Sequence, residues 1–136
     1  MKKLSTIICY MLIVMLLLVG CKKSTYKISI QTDRNSYNPV SSAVQGIGMS
    51  PELNTNDKST GIVYYWTTTA GSFIGSNDKG LVIGDSVKWS ALSDKSASAP
   101  TTATVTLEAK EKGAGKILAK TNLTIDGKNS VYTVKK

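Results

Sequence analysis

The sequence predicts an all-β domain, an antiparallel β-sandwich of about seven or eight strands, preceded by a signal peptide. Three observations carry that expectation. Short runs rich in Thr, Ser, Val and Ile recur along the chain, with Gly, Asn, Asp and Pro between them. Several runs alternate apolar with polar residues, the period of a strand with one buried face. No long stretch repeats apolar residues at helical spacing, and 136 residues leave room for one domain of ordinary size beside a targeting segment.

Lys2 and Lys3 form a charged start, and the stretch 7–19 is apolar apart from Cys9 and Tyr10. A membrane-spanning helix needs about 20 apolar residues. This run is shorter and ends in Gly20 just before Cys21, which reads as a signal peptide. Cys9 would leave with it, so the mature chain keeps a single cysteine, no disulfide, and a stability that rests on packing. The expected organisation is residues 1–20 as signal peptide, 21–24 as a lipid-attached linker and 25–136 as the sandwich.

Tyr26, Ile28 and Ile30 alternate with Lys27, Ser29 and Gln31 in a first strand. The segment 33–39, Asp-Arg-Asn-Ser-Tyr-Asn-Pro, is a turn-rich connector whose Asx-type side chains bond local backbone. Val40 to Met49 reads as the second strand, and Pro51 to Thr60 as a mobile polar loop without apolar pattern. Ile62 to Trp66, running into Thr67, Thr68 and Thr69 and stopping at Ala70 and Gly71, is the best candidate for a central strand. Leu81 to Ile83 and Val87 to Trp89 are short strands. Ala103, Val105, Leu107 and Ala109 alternate with Thr104, Thr106 and Glu108 in a long one, and Glu111 to Gly115 turns the chain. Ile117 to Ile125 follows. Asp126-Gly127 is the dipeptide favoured where both turn residues need positive φ, so a hairpin is expected there, with Ser130 to Val134 pairing back.

Leu18-Val19-Gly20-Cys21 resembles the lipobox of bacterial lipoproteins. The resemblance implies diacylglycerol on the Cys21 thiol and cleavage between Gly20 and Cys21. Two acyl chains exceed the marginal, reversible anchoring that one provides. The protein would then sit at the outer face of a cell membrane. Lys22 is not the aspartate associated with inner-membrane retention in Gram-negative sorting, so an outer-membrane location is open in such a cell. Lys22 and Lys23 would lie among headgroups, where each basic residue near an anionic surface contributes about 1 kcal/mol.

Tyr64 to Phe73, Val87 to Ser90 and Ala103 to Leu107 resemble a bacterial immunoglobulin-like domain of the PKD-like kind. The shared pattern is a Tyr-Trp strand, a Gly turn, a short strand with a second tryptophan, and a Thr-rich strand. Thr32 to Pro39 resembles the opening turn of bacterial surface Ig-like domains. Val40 stands where such turns usually have glycine, and Thr67-Thr68-Thr69 replaces an acidic, glycine-rich run. The resemblance implies the sandwich. Domains of this class serve adhesion, carbohydrate contact, spacing and inhibition alike, so it does not select among functions.

Catalysis is not expected. The chain has no histidine, which removes the usual general base and the commonest zinc ligand. The mature cysteine is committed to lipid, and the 9 acidic residues fall at no recognisable spacing. The formal charge is +8, and without Lys2 and Lys3 the balance is 15 basic against 9 acidic residues. The lysines are scattered, as on a solvated face rather than a nucleic-acid track. No cofactor is expected, and Asn77, Asp78 and Asp85 offer too few oxygens for calcium.

Binding residues concentrate on loops carried by a rigid scaffold. The candidates are Asn54, Asn56, Asp57 and Lys58 in one loop and Asn77, Asp78 and Lys79 in another. Trp66 reads as core. Trp89 has two readings: if it alternates with Val87 on the inner face it is structural, and if Ser90 faces in, Trp89 is an exposed aromatic of the kind that binds sugars or proteins. The expected function is a lipid-anchored extracytoplasmic binding module that holds an envelope protein or polymer near the membrane. A structural spacer or assembly subunit is the alternative, followed by an inhibitor of an envelope enzyme.

Overall fold

The computed structural model describes residues 23–40, 45–76, 80–91 and 100–135. Among them the chain forms ten strands and no helix: β1 (Tyr26–Thr32), β2 (Ser36–Tyr37), β3 (Ile47–Thr55), β4 (Ile62–Thr68), β5 (Ser72–Phe73), β6 (Leu81–Ile83), β7 (Val87–Ser90), β8 (Thr102–Glu111), β9 (Ile117–Lys128) and β10 (Val131–Lys135). The strands build two antiparallel sheets, one in the order β1-β3-β7-β5 and one in the order β2-β10-β9-β8-β4-β6. The protein is an immunoglobulin-like β-sandwich. The two strands beyond the expected seven or eight are β2 and β5, each only two residues long.

Alternation sets the layers. In β8, Ala103, Val105, Leu107 and Ala109 are buried while the residues between them lie on the outer face. There Glu108 accepts from Lys120 at 2.9 Å and Lys110 at 3.1 Å, and the Lys110 ammonium sits 4.2 Å from the centre of the Tyr65 ring. β4 is an interior strand, with Trp66 opposite Leu107 on one side and Val82 on the other. Trp66 is buried, as expected, and its indole donates to the Gly84 carbonyl at 2.9 Å, which fixes the turn between β6 and β7.

Within the same core an aromatic group joins the two sheets. Tyr37 and Tyr132 come from the six-stranded sheet and Trp89 from the four-stranded one. Their ring centres lie 5.6–6.2 Å apart, with Trp89 edge-on to both tyrosines. The Trp89 indole donates to the Ala70 carbonyl at 2.9 Å and to the Thr68 hydroxyl at 3.1 Å. Gly71 has φ of 72°, and a Cβ there would lie 2.7 Å from the Trp89 ring, so the stop after β4 needs glycine.

Two boundaries differ from expectation. The second strand does not run from Val40 to Met49; Val40 is exposed, its amide bonded at 2.8 Å to the Asn38 side chain, and β3 continues through Thr55. Residues 51–55 pair with β1 from Ile30 down to Tyr26. Pro51 lies just past the stretch that β7 covers, where β3 has one neighbour and a missing N–H is tolerated.

The last hairpin turns at Asn129 and Ser130, with φ of 51° and 61°, not at Asp126-Gly127. Asp126 is opposite Thr102 in the β8 ladder, and the Gly127 amide donates to the Thr101 carbonyl at 2.7 Å. The strand therefore runs straight through, and the next two residues take the positive-φ positions. Gly127 serves a different purpose: it faces Tyr132, and a Cβ there would meet that ring at 2.6 Å.

Candidate binding surfaces

The turn between β3 and β4 is built on Asp57. One carboxylate oxygen accepts from the Tyr26 hydroxyl at 2.7 Å and the Thr60 hydroxyl at 2.8 Å. The other accepts from the Ser59 hydroxyl at 2.7 Å and the Ser59 amide at 2.9 Å. The Tyr26 bond, then Ser59 and Thr60, hold this carboxyl far below the ordinary Asp range, so it is ionised. Asn56 accepts from the Thr25 amide at 2.8 Å, and Ser24 donates to Asp57 at 3.3 Å. The polar stretch expected to be a mobile loop is thus half strand and half cross-braced turn.

A groove of about 840 Å³ follows the edge where the sheets part. It is lined by the ends of β1 and β3, by β6 and β7, and by the segment after β5. Met49, Phe73 and Val87 form its buried floor, while Ile74, Leu81 and Ile83 stand exposed at its rim. Asp33 closes one end. Its carboxylate accepts from Arg34 at 2.8 Å and 3.0 Å and from the Gly48 amide at 2.9 Å, which lowers its pKa, the Arg34 bond foremost. A concave apolar floor with a few fixed polar groups suits a small apolar ligand or an inserted side chain.

The predicted site residues scatter. Asn54 is exposed on β3, and with Lys58 it borders a shallow outer depression that includes Lys27 and Glu52. Asn56 and Asp57 support the turn rather than face outward freely. Asn77, Asp78 and Lys79 lie outside the described residues, as do Gly20 and Cys21. Trp89 is not an exposed aromatic: it is fully buried on the inner face beside Val87. Ser90 is buried too, because Tyr37 and β5 cover it, the Tyr37 and Ser90 hydroxyls lying 3.4 Å apart.

Sequence reading missed the groove rim. Leu81-Val82-Ile83 was legible as a strand, but an edge position, which leaves two of its three side chains exposed, has no sequence signature. Among the described residues no three His, Cys, Asp or Glu side chains converge as metal ligands. No family model matches the chain, and neither a curated protein nor a solved structure matches it.

Proposed function

We propose that the protein is a lipid-anchored, non-enzymatic binding module of the bacterial cell envelope, tethered through Cys21 and presenting the groove between β6 and β7 to an envelope protein or polymer. The observation that carries the reading is the order Lys2-Lys3, apolar run, Leu18-Val19-Gly20-Cys21, followed closely by a rigid sandwich that begins at Tyr26. The apolar rim formed by Ile74, Leu81 and Ile83 supports a contact surface on the side of the domain. The resemblance to bacterial PKD-like domains fits this role. A structural subunit is the second reading, favoured by β6 itself, the edge strand of its sheet, with β4 on one side.

Two measurements test the proposal. Intact mass of the protein isolated from membranes, beside a Cys21→Ala variant, should show a diacylglyceryl adduct only in the first. A photocrosslinking residue at Ile83 should then give a discrete adduct in living cells that Leu81→Asp removes, while the same residue at Lys128 gives none. An unlipidated protein overturns the anchor, and equal crosslinking at both positions overturns the groove.

A further inference from the structure

Three segments meet at one end of the sandwich: the start of β1, the turn after β3 and the turn after β8. The register places them together, with Tyr26 opposite Thr55 and Ile62 opposite Glu111. Hydrogen bonds lock them. Thr25 and Tyr26 bond to Asn56 and Asp57, the Lys112 amide donates to the Gly61 carbonyl at 2.9 Å, and the Glu111 amide donates to the Lys116 carbonyl at 2.8 Å. This base carries Lys23, Lys58, Lys112 and Lys116, all exposed, none ion-paired to a described residue. Elsewhere Arg34, Lys110, Lys120 and Lys135 each have a carboxylate partner, while Lys27, Lys88 and Lys128 are exposed and, among the described residues, not ion-paired.

Two acidic residues share the base. The Asp57 oxygens are occupied by hydroxyls and amides, and Glu111 is half-buried, so the outward charge is positive. Beside Lys116 stands Ile117, 51% exposed, an apolar side chain on the same rim.

We infer that this base docks flat on anionic lipid headgroups, with the four lysines against phosphate and Ile117 at the headgroup boundary, so that the domain is held upright and its far end points outward. The inference rests on the proposed anchor for the membrane itself, and on the fold for the orientation. Lys23 follows Cys21 by two residues, and the chain is pinned to the base directly afterwards, which leaves little slack for the domain to tumble. Each lysine near an anionic surface contributes about fivefold to partitioning, and the effect is lost beyond a Debye length. Lys128, at the far end of the 12-residue β9, stands roughly 30–35 Å away and would not feel the surface.

The test is amine acetylation of the full protein, isolated from membranes and reconstituted in vesicles of phosphatidylcholine alone or with phosphatidylglycerol added, read lysine by lysine by peptide mass spectrometry. Lys58, Lys112 and Lys116 should be protected severalfold by phosphatidylglycerol and released by high salt, while Lys88 and Lys128 react equally in both vesicles. A Lys58→Ser, Lys112→Ser variant with unchanged melting temperature should lose most of the phosphatidylglycerol-dependent protection of Lys116. Equal labelling of the three base lysines in both vesicles overturns the inference. Intact mass of the same sample reads the anchor separately: absence of diacylglyceryl removes the anchor, and the labelling still decides the base.

Discussion

Residues 55–61 at the base include no apolar side chain, yet side-chain hydrogen bonds brace them throughout; residues 81–83 at the open edge are all apolar, yet Leu81 and Ile83 face solvent. At the base, Asp, Ser and Thr side chains satisfy nearby backbone groups and one another, and order follows without a core. At the edge, β6 has a strand on one side only and is too short to bring its outer side chains under anything. Order and burial are thus separable. Residue type decided the first, position in the layer the second.

The largest effect is expected in the core between the sheets, at Trp89, which lies opposite Ile47 at the end of β3 away from the base. Trp89→Ala removes the ring that joins Tyr37 and Tyr132 and frees the segment after β4, and should cost about 3–5 kcal/mol in urea unfolding. Loss of well under 2 kcal/mol would mean that the two sheets are joined elsewhere.

Gly127→Ala isolates conformation from composition, because the new methyl would meet the Tyr132 ring and the Pro100 carbonyl. A cost of about 1–3 kcal/mol is expected. Asn129→Gly, at a position with positive φ, should change stability by less than about 0.5 kcal/mol, and the opposite order would return the turn to Asp126-Gly127.

At the base, Asp57→Asn should lower the urea midpoint at pH 7 by less than either core change. Its pH signature is more telling. The folded Asp57 titrates below its free value of 3.8, so its stabilisation is present in full above that pH and fades as pH falls toward the folded value. The variant should therefore lose part of the acid sensitivity below about pH 4, retaining what Asp33 and Glu108 contribute through their own lowered values. Parallel profiles for the two proteins would show that the hydroxyls do not hold the charge.

The smallest effect belongs to the edge. Leu81→Ser and Ile83→Ser should each move stability by no more than about 0.5 kcal/mol, and Leu81→Ser should abolish the crosslink made from position 83. A large destabilisation would mean that the rim is packed rather than presented.

Much of the fold was legible. β1, β4, β8 and β9 announce themselves through alternation or apolar run, and β7 through the Val-Lys-Trp pattern. The segment 51–55 was not, because its inward residues, Pro51, Leu53 and Thr55, give alternation without strong hydrophobic contrast. β2 and β5 were not, because two residues carry no period. The site was less legible than the fold. Asn56 and Asp57 drew attention as polar loop residues, and their role proved to be internal bracing. The groove floor combines Met49, Phe73 and Val87 from three separate strands, a juxtaposition that pairing creates and that no local window contains.

The sequence by itself determined the longer patterned strands β1, β4, β8 and β9 and the face of each that is apolar, since side-chain alternation is a local consequence of extended backbone. It also determined that no histidine chemistry is available, and it alone carries the Leu18-Val19-Gly20-Cys21 stretch on which the proposed anchor rests. Only the tertiary structure decided that Trp89 is covered, that Ile83 is not, and that the last hairpin turns three residues later than its best dipeptide. Each of those depends on what lies opposite: β5 and Tyr37 over Ser90, solvent beyond β6, and Thr102 across from Asp126. A residue's burial, and the residue at which a strand must stop, are set by its neighbours across the sheet, and those neighbours are brought together from distant parts of the chain.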